Sequence, residues 1–374
     1  MPGMIYLNHV GTSWPKPPGV AEAIEAAARS EPPAWAGLAE EAGKAIAGFF
    51  GCGPERFLWA QSCTQALAFA LDDFPWESGD VLLTGSLEHH ALSRWPQKLA
   101  ARGVVHEAIP FADPWGVDPA WVEERLARGG VRMLAFAHGC NVSGHLLPMG
   151  ELCSLARKHG VTSLVDGAQS AGFEPIALGG ESAEEPDMFT FAGHKGPMGP
   201  LGVGGLYVRP GVSLASPEAS CDLPGGACRI DAGRMPDYCD SGSMNLPALA
   251  GLAAGVRWIE QQGIESLRSR VLDHTRRMIE GFASVPGLRV IGPGGDVPRT
   301  PAVSVVSSRH SSDELAALLA EGHGIMARPG HQCAPWAHSA LGTETHGTLR
   351  FSAGPFIPEH QVDSAIDALM EVMK

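Results

Sequence analysis

Residues 118–172 read "DPAWVEERLARGG", "VRMLAFAHG", "GELCSLARKHG" and "VTSLVDGAQSAG" in succession. In the first segment Asp118 is placed to cap a helix, Pro119 falls in the first turn, and Gly129 and Gly130 stop it. The second is a short apolar run of the kind found in a buried strand. The third is a helix ended by Gly160, and the fourth is a strand that runs into a loop. This alternation of helix and strand predicts a mostly parallel sheet covered by helices. With 374 residues, 44% of them hydrophobic, the chain can fill one large core or two moderate ones. After about residue 250 the pattern changes. "LPALAGLAAGVRWIEQQG" reads as a long connecting helix, and "VPGLRVIGP" and "TPAVSVVSS" read as strands of a second sheet. "SSDELAALLAEGHG" carries a capping box, Ser311 with Glu314. The C-terminal helix keeps Val362, Ile366, Leu369 and Met373 on one face.

Charge and cysteine usage remove several classes of function. The net charge is −14 and no basic run appears, which argues against a nucleic-acid or anionic-membrane surface. "MPGMIYLNHV" has no charged region followed by an apolar one, so no secretory signal is expected. No apolar stretch approaches the ~20 residues of a membrane helix. The eight cysteines include no C-x-x-C pair, and neither a zinc ribbon nor a disulfide framework is implied. A cytoplasmic protein with reduced thiols is the expectation.

"FAGHKGPMGPLG", residues 191–202, places Lys195 in a bend between two strand-like segments, "DMFTFA" and "GVGGLYVRPG". A surface turn is the usual fate of a lysine. Between two core strands, however, the amine is desolvated, which lowers its pKa and makes it nucleophilic. In an open parallel sheet, ligands sit beyond the carboxyl ends of the strands. Asp166, Gln169, Asn141, His89 and His90 all follow apolar strands, and Thr64 opens the apolar helix "TQALAFAL". Each alone is an ordinary turn residue. Together with Lys195 they supply what pyridoxal phosphate requires: an amine for its aldehyde, a carboxylate for its ring nitrogen, and a helix N-terminus for its phosphate. No G-x-x-x-x-G-K-[ST] loop exists, and the glycines at 199–205 do not open a helix as G-x-G-x-x-G would.

On these residues the chain resembles the class V pyridoxal-phosphate enzymes, and among them the cysteine desulfurase and selenocysteine lyase family. The matching segments are "YLNHVGTSWPKPP", "SCTQALAFAL", "EHHA", "HGCNVSGHLLPM", "VDGAQSAG", "FAGHKGPMGPLGVGGLYV", "DSGSMNLPALAGL", "RPGHQCAPWAHSALGT" and "GTLRFSAGPF", in order over nearly the whole chain. The resemblance implies an α/β fold of the type I PLP-dependent transferases. Its large domain, residues 15–250, would hold a mostly parallel seven-stranded sheet flanked by helices. A smaller α+β domain would comprise residues 1–14 and 251–374.

The resemblance also implies roles. Lys195 holds the cofactor covalently, Asp166 pairs with the pyridine nitrogen, and Gln169 bonds the ring oxygen. His89 stacks on the ring, and Asn141 lies near the ring oxygen and the substrate carboxylate. Thr64 and His194 bind the phosphate, and Ser243 reaches the phosphate of the neighbouring subunit of a homodimer. Arg350 clamps the substrate carboxylate through its planar fork, with Arg328 close by. Cys333 matches the family's R-x-G-x-x-C-A segment and would take sulfur from cysteine as a persulfide, leaving alanine. Most of the other seven cysteines read as inert small hydrophobes. A metal site from His331, Cys333 and His338 has no second ligand cluster behind it, and none is expected.

Two stretches depart from the family pattern. Asn8-His9-Val10-Gly11-Thr12 stands where Asp-Asn-Ala-Ala-Thr is usual, and Ala192-Gly193 stand where a hydroxyl for the phosphate is usual. Gln65 replaces a frequent glutamate. Three readings remain open. The first is a cysteine desulfurase that passes sulfur to an acceptor protein. The second is a selenocysteine lyase or another class V reaction such as transamination. The third is a paralogue without catalysis.

Overall fold

The structure, a computed structural model, describes residues 4–114, 116–180, 182–215, 229–230 and 244–374. The strands in chain order are β1 (Ile5–Tyr6), β2 (Phe57–Ala60), β3 (Val81–Thr84), β4 (Val105–Ala108), β5 (Val131–Ala137), β6 (Thr162–Asp166), β7 (Met188–Ala192) and β8 (Gly204–Val208). Then come β9 (Leu214–Ala215), β10 (Arg229–Ile230), β11 (Leu288–Ile291), β12 (Val303–Ser307), β13 (Ile325–Met326) and β14 (Leu349–Phe351).

The helix–strand alternation around residues 118–172 forms as expected. Asp118 Oδ1 accepts from Ala120 N at 3.0 Å and caps helix Pro119–Ala127. A seven-stranded sheet of order β2-β8-β7-β6-β5-β3-β4 follows, parallel from β4 through β7. β8 runs antiparallel to both β7 and β2. This is the mostly parallel seven-stranded sheet of the type I fold.

Period-two alternation sorts the core onto the two faces. Leu134, Phe136, Val165, Phe189 and Phe191 pack on one face with Phe50 and Phe57. Met133, Ala135, Leu164, Met188 and Ala192 pack on the other with Leu67 and Ala70 of helix Cys63–Asp72. Asp166 follows Val165, so the same alternation turns it toward helix Cys63–Asp72. Helix Leu246–Gln262 lies against helices Val20–Arg29 and Trp35–Phe49 of the large layer.

The second sheet is antiparallel, β11-β12-β14, and a short parallel pair joins β1 to β13. Leu7, Met278, Phe282, Val303, Leu319, Phe351 and Leu369 form its core. The capping box of Ser311 and Glu314 starts helix Ser312–His323. In helix Glu359–Val372, Ile366 sits in a notch that only Gly281 leaves open, since a Cβ there would overlap it. Among the described residues no helix is long and apolar enough to cross a membrane.

Candidate active site

The polar residues singled out above gather at the carboxyl ends of the central strands. His89 follows β3, Asn141 follows β5, Asp166 ends β6, and Lys195 follows β7. Helix Cys63–Asp72 points its N-terminus at the same place. Ser62 caps it by accepting from Gln65 N at 3.2 Å, and Thr64 lies in its first turn. Glycines make the approach close. A Cβ on Gly204 would press on the main chain of Ser62 and Cys63, and one on Gly196 would overlap the carbonyl of Ala171.

Burial pushes the Lys195 amine below its ordinary range, while the charges of Asp166, Cys63 and Cys333 oppose the shift and that of Arg350 adds to it. Lys195, Asp166, Cys333 and Arg350 therefore share one electrostatic site. Asp166 is buried, and its Oδ1 accepts from Ala168 N at 2.9 Å. The Cys63 sulfur lies 3.3 Å from that oxygen and 3.2 Å from Thr190 Oγ1. His89 caps the next short helix, its Nδ1 accepting from Ala91 N at 3.0 Å, so its proton is on Nε2. Burial and the Lys195 charge hold His89 down to about 4, so its ring is neutral at physiological pH. His194, lowered to about 4 by burial and Lys195, has its Nδ1 3.0 Å from Thr12 Oγ1.

Arg350 is buried, with Nη1 donating to Asn141 O and Nη2 to Asn8 Oδ1, both at 2.8 Å. Its Nε has no partner among the described residues. Burial and the charge of Arg328 lower it to about 10, so it keeps its charge. Arg328 is exposed, and its main chain bridges that of Arg350 at 2.9 Å in both directions.

Cys333 is exposed, in contrast to buried Cys63, Cys140 and Cys153. Its carbonyl accepts from His90 N at 2.6 Å, which docks the cysteine loop on the turn after β3. Two expected contacts are otherwise engaged. Asn141 Nδ2 donates to Gln332 O at 2.8 Å, and Gln169 Nε2 donates to Val10 O at 3.1 Å. Both side chains line the site but act here as ties between segments distant in sequence. Ser243 lies outside the described residues.

The structure adds one residue to those the sequence singles out: Cys63, among the cysteines that read as small hydrophobes, is brought against Asp166 by the sheet alternation. His9 is buried with Nδ1 unpartnered, and burial holds it down to about 3. With Gln169 and Lys195 it lines a cavity of about 40 Å³.

Glu88 is fully buried, its carboxylate accepting from Ala137 N at 2.9 and 3.1 Å. Burial raises it to about 8; the Ala137 hydrogen bond opposes the shift, and the charge of Asp166 adds to it. The folded protein thus holds this proton over a range where the unfolded chain has lost it. Stability from Glu88 is present below the ordinary value of 4.5 and is lost as pH rises to about 8. Glu88→Gln should therefore flatten the fall in melting temperature between about pH 5 and pH 8. Parallel melting curves for the two proteins would show that Glu88 is already ionised.

The donor set suits pyridoxal phosphate. Lys195 is a desolvated amine, Asp166 a fixed buried carboxylate, and the first turn at Thr64 offers main-chain N–H groups. Comparison with known proteins agrees. The sequence model of the family described as "Aminotransferase class-V" matches residues 34–364. A probable cysteine desulfurase of Pyrococcus abyssi is 28% identical over 347 residues, which cover 90% of this chain and 83% of that protein. Probable cysteine desulfurase 2 of Mycobacterium leprae is 28% identical over 348 residues, covering 88% and 79%. Among solved structures, the apo cysteine desulfurase of Thermococcus onnurineus NA1 superposes with a TM-score of 0.89 at 26% identity, covering 99% of this chain and 94% of that one. Fold, site layout and family match coincide, and the chain belongs to the class V aminotransferase family.

Proposed function

We propose that the chain is a pyridoxal-phosphate-dependent cysteine desulfurase, taking sulfur from L-cysteine onto Cys333 and releasing L-alanine. The observation that carries this reading is the exposed thiol of Cys333, docked through its carbonyl on His90 and within electrostatic reach of Lys195 and Arg350. When bound, pyridoxal phosphate supplies an electron sink for the substrate's α-carbon. Asp166 would hold its ring nitrogen, Gln169 and Asn141 would serve its ring oxygen, and Thr64 and His194 would hold its phosphate. Lys195, poorly solvated, is the base for the α-proton. The sulfur of Cys333 then attacks the substrate sulfur: an S–S bond forms, the C–S bond breaks with its electron pair left on carbon, and that carbon takes a proton. The sum is cysteine plus thiol giving alanine plus persulfide, with no outside oxidant.

The substrate carboxylate belongs on Arg350. Its Nε is a buried donor still lacking an acceptor, and Asn8 contributes a neutral oxygen where the family pattern has a carboxylate. The guanidinium charge is left for the ligand. Arg350→Lys should raise KM for cysteine by about tenfold or more, the scale of one lost charge-assisted hydrogen bond, with a smaller change in kcat. An unchanged KM would move the carboxylate to Arg328 instead.

The same reading extends to a homodimer completed by Ser243 from the neighbouring subunit, and to an acceptor protein that discharges the persulfide. Incubating the holoenzyme with cysteine and with selenocysteine tests the whole. Alanine with sulfide from cysteine is expected. Alanine from selenocysteine alone would make it a selenocysteine lyase, and keto acid without alanine would make it a transaminase.

A further inference from the structure

The loop that carries Cys333 passes through two consecutive left-handed residues, Gln332 at φ 42° and Cys333 at φ 59°. Neither is glycine, and side-chain-bearing residues hold that conformation only when their surroundings impose it. Gln332 makes those contacts. Its Nε2 donates to the carbonyls of Arg328 at 3.1 Å and Thr348 at 2.8 Å. Its Oε1 accepts from Thr348 Oγ1 at 3.1 Å and faces His338 Nε2 at 3.3 Å. His338 Nδ1 lies 2.7 Å from Thr343 Oγ1, so a neutral ring with its proton on Nε2 satisfies both partners. Burial lowers the pKa of His338 and favours that neutral form. The main-chain carbonyl of Gln332 takes the Asn141 amide, and the next carbonyl, that of Cys333, takes His90 N. Gln332 is buried at 6% exposure while its neighbour Cys333 is exposed.

We propose that Gln332 is the positioning residue for the Cys333 nucleophile, its amide clamping the neck of the loop between Arg328 and Thr348. The proposal rests on the reading of Cys333 as the sulfur acceptor. The clamp acts on one step only, the transfer in which the Cys333–sulfur bond forms and the substrate C–S bond breaks. Removal of the α-proton by Lys195 needs no attack by Cys333, so it does not depend on where that sulfur is held. A loosened clamp therefore separates two partial reactions that a general loss of structure would impair together.

The test compares wild type, Gln332→Asn, Gln332→Ala and Cys333→Ala as holoenzymes given cysteine in D₂O. Persulfide on the Cys333 peptide is followed by mass, and deuterium at the α-carbon of recovered cysteine reports proton removal. Asparagine keeps the amide and tolerates the left-handed backbone, but it is one methylene too short to span both carbonyls. Persulfide formation should fall by about tenfold to a hundredfold in Gln332→Asn, the scale of a small misplacement of a reacting group, with α-exchange unchanged. Gln332→Ala should behave alike, and if it does not fold the Asn variant decides alone. A wild-type persulfide rate in Gln332→Asn overturns the proposal, as does an equal fall in both readouts. Full alanine release from Cys333→Ala would instead remove the underlying reading of Cys333, whatever the Gln332 variants do.

Discussion

Cys333→Ala should bind pyridoxal phosphate and cysteine as the wild type does, yet lose alanine release by three orders of magnitude or more, roughly the scale seen when a nucleophile working as a unit with its site is removed. The separation follows from where the residue sits. Asp166, His89 and Lys195 are held by contacts within the large sheet and its loops, and Gln169 by the carbonyl of Val10 in the N-terminal segment; none of these contacts uses the Cys333 side chain. What Cys333 contributes to the scaffold is its main-chain carbonyl, which accepts from His90 N, and alanine keeps that carbonyl. Alanine does less well in the left-handed backbone only as any L residue does, so the loop should persist. Binding is read as a spectral shift of the cofactor on adding cysteine. Wild type given cysteine without a reductant should gain one sulfur on the Cys333 peptide. Wild-type alanine production by the variant would mean that the substrate sulfur passes to an acceptor other than Cys333, whereas keto acid with sulfide would point to a simple C–S lyase.

Much of this site was legible because strand-end positions are local. Asp166, Asn141 and His89 each follow an apolar run that could hardly be anything but a buried strand, and the carboxyl edge of a parallel sheet is where such residues meet. Lys195 was legible for the same reason. Contacts made across the chain were not. Asn141 meets Gln332 191 residues away, and Arg350 meets Asn8 342 residues away. Both depend on how the small sheet, with β14, closes over the large one. Gln332 reads in sequence as a polar loop residue, and its burial appears only when Thr348 and His338 surround it. The antiparallel placement of β8 between β7 and β2 was equally hidden. Its five buried residues have the same composition as a parallel strand. The departure at Asn8 and His9 was visible in the sequence. Its meaning was not, until Asn8 proved to touch the Arg350 guanidinium and His9 to line the cavity beside Lys195.

Borohydride reduction of the holoenzyme should fix the cofactor to Lys195, and Lys195→Ala should lose turnover by several orders of magnitude while still binding cofactor without a covalent bond. The chain has six lysines. Lys44, Lys98 and Lys158 are exposed and paired with Glu40, Asp72 and Glu123 on the surface. Lys374 stands at the C-terminal end. Lys16 is the real competitor. Burial lowers it to about 8, so it has a sizeable neutral fraction near pH 8, and it lies beside His194. Its amine, however, is committed to Ser13 Oγ at 2.6 Å and to the carbonyl of His194 at 3.1 Å. Lys195 is the lysine that feels the charges of Asp166 and Cys333, the residues proposed here for the ring nitrogen and for the sulfur. The shift of Lys16 has burial alone behind it, with no contribution from either. The decisive measurement is the mass of the reduced peptides: the adduct belongs on the peptide with His194-Lys195 and not on the one with Lys16. Equal labelling of Lys16, or an Lys195→Ala enzyme that keeps turnover, would overturn the assignment and make the N-terminal segment the seat of the chemistry.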